Sequence, residues 1–203
     1  MKSVQKTVYH KYVVQKSIFH NYLLPIHDVD EIDAALKTIQ QDHPGASHYC
    51  TAYIIGQHKE IQKYNDDGEP SQTAGLPMLE VLKKNDLTDV LAVSVRFFGG
   101  IKLGAGGLIR AYAKGVAQNT EHATFTTLKT VLICTLTIPF DEIGHVEHFV
   151  RSSYHLINTE YTEHVTYTIK LLQPRYQEFY TFFKNQTNGK ARIKEIDSIT
   201  QFM

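Results

Sequence analysis

Leu91 to Asn119 reads LAVSVRFFGGIKLGAGGLIRAYAKGVAQN. Its first eight residues, Leu91 to Phe98, form an apolar run with a single charge, which predicts a buried strand. Its last twelve, Leu108 to Asn119, space Leu108, Ala111, Tyr112 and Val116 at helical intervals, which predicts a helix. Between them, Gly99 to Gly107 places five glycines in nine residues. Glycine accepts positive φ and lets backbone N–H groups approach a ligand closely. A helix start adds amide donors without partners and the positive end of a dipole. A strand, a glycine-rich turn and a helix in this order point to a helix-backed sheet.

Working outward, Thr7 to Pro25 interleaves apolar and polar residues as one or two strands do. Asp30 is expected to cap a helix with the stripe Ile32, Ala35, Leu36 and Ile39, stopped by Pro44-Gly45. His48 to Gly56 reads as a strand. Asn65 to Ser71 (NDDGEPS) is the strongest turn signal in the chain. A short helix follows with Leu76, Leu79, Val81 and Leu82 apolar, and Pro77 is tolerable only in its first turn.

Residues 123–130 (ATFTTLKT) hold four threonines and little apolar periodicity, and the domain boundary is expected there, separating 1–127 from 131–203. The remainder predicts a strand over Val131–Ile138, a helix over Asp141–Ser153 and strands over Leu156–Glu163 and Val165–Leu172. A helix from Pro174 to Phe183 and a strand over Ala191–Ile199 complete it. That is the split β-α-β-β-α-β order of a ferredoxin-like domain. The fold class is therefore α+β.

The chain has 203 residues with 21 basic and 21 acidic side chains. Residues 1–130 carry 14 basic against 13 acidic groups, and residues 131–203 carry 7 against 8. Nucleic-acid binding by chain-wide positive charge is excluded, so any such contact needs a local patch. Cys50 and Cys134 are too few for a disulfide framework. No stretch reaches the roughly 20 apolar residues of a membrane span, and no secretory h-region opens the chain. The expectation is a reduced, cytoplasmic, soluble protein without a membrane partner.

Two elements carry candidate chemistry. In the first, Gly99, Gly100, Gly104, Gly106 and Gly107, with Arg96, Lys102, Arg110 and Lys114 around them, form a candidate anion or nucleic-acid site. If Leu108 begins the helix, Arg110 lies in its first turn and Lys114 one turn on. The spacing matches neither a Walker A loop nor G-x-G-x-x-G, and a turn that needs glycine only for packing is the simpler alternative.

The second element is the acidic loop with Asp66, Asp67 and Glu69. Three carboxylates in four residues could serve a metal or acid–base chemistry if sharply folded. They could equally be solvated, or pair with Arg96, Lys102 or Arg110. His48 and Cys50 share a strand face, an arrangement that favours packing over a Cys–His nucleophile. His145 and His148, three apart, read as a solvated helix face. No metal site and no cofactor is expected.

Asp66–Gly75 (DDGEPSQTAG) with Pro77–Leu82, and Arg96–Tyr112 (RFFGGIKLGAGGLIRAY), strongly resemble the two signature blocks of the Impact family, whose bacterial members are called YigZ-like. Lys16–Phe19 and His48–Cys50 fall where that family carries comparable residues. Gln72 and Phe97 depart from its usual residues, outside the acidic and glycine-rich elements.

The resemblance implies an N-terminal domain of the ribosomal-protein-S-five second-domain type. It implies a ferredoxin-like C-terminal domain similar to the last domain of translation elongation factor G. Eukaryotic relatives regulate translation by restraining a stress kinase. Their additional N-terminal domain is not expected here, so that role is not expected to carry over. What carries over is a link to translation, with RNA or the ribosome as expected partner. The alternatives are an enzyme acting on a phosphorylated small molecule, and a module that docks a protein partner.

Overall fold

The computed structural model describes residues 1–203, apart from the Phe202 side chain, as two compact units, Met1–Thr127 and Leu128–Met203. In the first unit a short strand β1 (Lys2–Val4) precedes the hairpin β2 (Val8–Val14) and β3 (Ser17–Pro25). Then follow α1 (Asp30–Asp42), β4 (His48–Ile55), β5 (Ile61–Asn65), α2 (Gly75–Lys84), β6 (Val90–Phe97) and α3 (Ala105–His122). The sheet runs β2-β3-β6-β4-β5, with every neighbouring pair antiparallel.

β6 is central and covered on both faces, which is why it reads as an unbroken apolar run. Val90 and Ala92 join the core beneath α2 and α3 with Phe19, Leu23, Met78, Leu82 and Tyr112. Leu91, Val93 and Val95 point the other way, into the core that includes Ile32 and Ile39 of α1. A buried polar pair crosses the sheet: Ser94 Oγ donates to Asn21 Oδ1 at 2.7 Å. Gly115 of α3 lies against this pair, since a Cβ there would sit 2.1 Å from Asn21 Oδ1.

Four local expectations change. Asp30 does not cap α1: it is the first helical residue, and Asp28 Oδ1 accepts its N–H at 3.1 Å. The strand β5 (IQKYN) escapes the sequence reading because it is an edge strand with only Ile61 partly buried, so no alternation shows. α3 begins three residues before Leu108, so Gly106 and Gly107 are helical and Arg110 lies in the second turn. Finally, residues 125–130 are extended strand: β7 runs from Phe125 to Ile138 without a break. Threonine is a good strand residue, and Phe125–Thr127 pair with β1.

The second unit takes β7 on into α4 (Ile143–Ser153), β8 (His155–Tyr161), β9 (Val165–Leu172), α5 (Tyr176–Gln186) and β10 (Arg192–Phe202). Strand order is β10-β7-β9-β8, all antiparallel, the ferredoxin-like arrangement. One core holds Leu132, Cys134, Leu136, Tyr167 and Ile169 of the sheet with Val146, Val150, Phe179 and Phe183 of the helices. Burial in it pushes the Cys134 thiol up to about 11, with Glu195 adding to the shift. His145 and His148 are exposed on α4.

Candidate functional site

The turn after β5 is shaped by its own carboxylates. Asp66 Oδ1 accepts the N–H groups of Ala74 and Gly75 at 3.0 and 2.8 Å, and Oδ2 accepts that of Gln72 at 2.8 Å. Asp66 thereby satisfies amides at the start of α2, where a carboxylate is favoured by the helix dipole. Asp67, at φ +42°, accepts Tyr49 N–H on Oδ2 at 2.6 Å, while its carbonyl meets His48 Nδ1 at 2.8 Å.

Glu69 turns inward. Its Oε1 receives Arg96 Nη1 at 2.6 Å and Tyr112 O–H at 2.6 Å, and His48 Nε2 stands 3.9 Å from Oε2. All three carboxylates are held by the protein itself. Among the described residues no group of three His, Cys, Asp or Glu side chains converges to hold a metal ion.

His48 and Cys50 do not form a nucleophilic pair. Cys50 is fully buried and its Sγ donates to the Asp66 carbonyl at 3.1 Å. Burial pushes its thiol far up, with the nearby acidic groups adding to the shift. A neutral buried thiol is a poor nucleophile.

The glycine-rich element divides into a loop and a helix start. Gly99 passes so close to the β2–β3 hairpin turn that a Cβ would sit 2.1 Å from the Lys16 carbonyl carbon. Its N–H donates to Ser17 Oγ at 3.2 Å, and Arg96 Nη2 donates to the same oxygen at 3.2 Å. Gly100 and Gly104 take φ of +82° and +70°, a region that disfavours side chains. Gly104 opens α3 without a side-chain cap. The first helical bond at this end runs from Leu108 N–H to the Gly104 carbonyl at 2.9 Å, which leaves the amides of residues 105–107 without an acceptor in the helix.

The predicted cations separate into two kinds. Arg96 is not a surface cation: it is 4% exposed and neutralised by Glu69. The alternation along β6 carries this signal, because Arg96 shares a face with Val90, Ala92 and Ser94. Lys102, Arg110 and Lys114 are exposed and form no ion pair among the described residues. Lys114 Nζ lies 5.4 Å over the Tyr12 ring.

Two clefts flank the start of α3. One, of about 300 Å³, is lined by Pro70, Phe98, Lys102, Gly104 and Ala105, with Arg96, Leu103 and Leu108 completing its wall. The other, of about 250 Å³, is lined by Gln15, Gly107, Arg110 and Lys114 together with Val14, Leu103 and Ala111. Leu103 belongs to both. The sequence reading missed Phe98, taken there as the end of a buried strand. It is 48% exposed, and the Arg96 guanidinium lies 5.4 Å from its ring. It missed the hairpin turn at Gln15 too, which only the fold brings to this face.

Fold and loops together define an α+β protein with a glycine-rich turn against an acidic one, and comparison with known proteins places it. The Impact N-terminal domain matches residues 15–120, and a domain of unknown function, DUF1949, matches residues 136–190. The chain belongs to the Impact family. It is 41% identical to the IMPACT family member YvyE of Bacillus subtilis (strain 168), over 95% of this chain and 89% of that protein. It is 32% identical to the IMPACT family member YigZ of Escherichia coli (strain K12), over 91% of this chain and 94% of that protein. A solved structure described as "Crystal structure of an hypothetical protein" superimposes with a TM-score of 0.61 at 29% identity, covering 97% of each chain. Among the described residues no helix is long and apolar enough to cross a membrane.

Proposed function

We propose that this chain is a non-catalytic binding protein of the translation apparatus. In this reading Lys102, Arg110, Lys114 and the amides at the start of α3 contact RNA phosphates, free or on the ribosome. One observation carries it. Asp66 and Glu69 of the adjacent loop are engaged inside the protein and Asp67 is tied to the Tyr49 N–H, whereas the cations of the glycine-rich element are exposed and unpaired among the described residues. The glycine-rich element therefore carries exposed positive charge although the chain as a whole is neutral. The same observation weighs against acid–base or metal chemistry at Asp66, Asp67 or Glu69.

The test is co-sedimentation with ribosomes and with bare RNA at low and high salt. Phosphate contacts release counterions, so binding is expected to weaken as salt rises. The double substitution Lys102→Glu, Arg110→Glu should abolish pelleting. Pelleting unchanged by that pair overturns the reading, and salt-insensitive capture would instead mark the face as a docking surface for protein.

A further inference from the structure

Three features meet at the start of α3, and the third, an exposed aromatic ring, is one that phosphate contact alone does not require. The amides of residues 105–107 lack acceptors in the helix, at the positive end of the 18-residue α3. Arg96, 4% exposed, lines the cleft there, and its Nε–H has no acceptor among the described residues. A buried donor without an acceptor carries a desolvation penalty, and with almost no accessible surface it acts on an anion in the cleft through its N–H dipole and not by direct contact. Third, Phe98 in the same cleft is 48% exposed, with its backbone N–H fixed to Ser47 Oγ at 3.1 Å.

Resting on the RNA-binding reading, we propose that this cleft is a nucleotide subsite for single-stranded RNA: one phosphate sits at the start of α3 beside Lys102, and its base stacks on Phe98. The second cleft, which shares Leu103 with the first and carries Arg110 and Lys114, takes the neighbouring phosphate.

Single strands are the fitting class for a geometric reason. An aromatic ring inside a cleft is reached by an unstacked base, and the bases of a duplex are not unstacked. Stacking on an aromatic ring tolerates any base, because every base has a π-face. The subsite therefore selects strandedness, and sequence only weakly. Two consecutive phosphate positions also favour a strand over a mononucleotide.

The chain contains no tryptophan, so Phe98→Trp places a single tryptophan at the subsite, read by excitation at wavelengths that tyrosine does not absorb. Titration with oligouridine should quench its emission, while inorganic phosphate should leave it unquenched. In fluorescence anisotropy with labelled oligouridine, Phe98→Ala should weaken binding by about 5- to 150-fold, the range of one base–aromatic stack. Phe98→Tyr should restore it. Duplex RNA and uridine monophosphate should both bind more weakly than the single strand.

Several results overturn the subsite. They are equal single-strand affinity in Phe98→Ala, no quenching of the tryptophan by oligouridine, or a duplex or mononucleotide that binds as tightly as the strand. If the Lys102→Glu, Arg110→Glu pair abolishes RNA binding while Phe98→Ala does not alter it, the subsite fails and the RNA-binding reading stands. If the parent protein binds neither RNA nor ribosomes, both fail.

Discussion

The Glu69 carboxylate and the Arg96 guanidinium meet at 2.6 Å across 27 positions of sequence, with side chains 4% and 5% exposed. This contact ties the acidic loop to the strand that leads into the glycine-rich loop. Removing one partner leaves the other charge buried and alone. Glu69→Gln and Arg96→Met should each lower unfolding free energy by about 3–5 kcal/mol. The double variant should lose less than the sum of the two, because the buried charge goes with its partner. Urea melts of the four proteins check both statements, and additive losses would remove the coupling. Tyr112→Phe, which deletes the second donor to Glu69 Oε1, should cost about 1.5–3 kcal/mol as a hydrogen bond to a charged group.

Gly99→Ala addresses the neighbouring contact. The added methyl would meet backbone on the hairpin, 2.1 Å from Lys16 C and 2.5 Å from Ser17 N, neither of which can rotate away. A cost of about 1–3 kcal/mol is expected, as for other insertions into a filled space. The displaced Ser17 also loosens Arg96. Gly144→Ala, in α4 where a Cβ meets nothing within 4 Å, is the control and should melt no lower than the parent, since alanine is the better helix former.

These two relationships show how far the sequence could be read. The strand-turn-helix order and the β-α-β-β-α-β order were legible because apolar period and glycine placement are local signals. The acidic and glycine-rich loops stood out by composition, yet the pairing of Glu69 with Arg96 was only one of three options open to the carboxylates. Choosing among them required knowing that β4 and β6 are neighbours, with His48 opposite Arg96 in register. Register is a tertiary fact. β5 and the first part of β7 were illegible for another reason: an exposed edge strand and a threonine-rich strand both lack a buried stripe.

His20 gives the fold a pH dependence. Its ring faces Tyr9, whose hydroxyl lies 2.8 Å from Nδ1, and stands 4.1 Å from the His43 ring. Burial, then the neighbouring His43 and Lys11, push its pKa down from 6.5 to about 4. Between these values the unfolded chain binds the proton and the folded one does not, so folding stability rises with pH there. The contribution is complete above about pH 6.5 and is lost as pH falls toward 4. His20→Gln should therefore show a smaller drop in urea midpoint between pH 7 and pH 5 than the parent. Equal drops would mean that other groups carry the acid sensitivity.

The salt dependence of RNA binding separates positioning from charge at the proposed site. Each phosphate neutralised on a single strand contributes about 0.7 to the slope of log affinity against log salt. Lys102→Ala and Arg110→Ala should each flatten the slope by about that amount and weaken binding at low salt more than at high salt. Phe98→Ala removes no charge, so it should weaken binding at every salt concentration and leave the slope as it was. Arg96→Met is the informative fourth case. Arg96 is already neutralised by Glu69, so its loss should act through the loop it supports, lowering affinity without the slope change of a direct phosphate contact. A slope change equal to that of Lys102→Ala would make Arg96 a phosphate ligand in the complex, released from Glu69 when RNA binds.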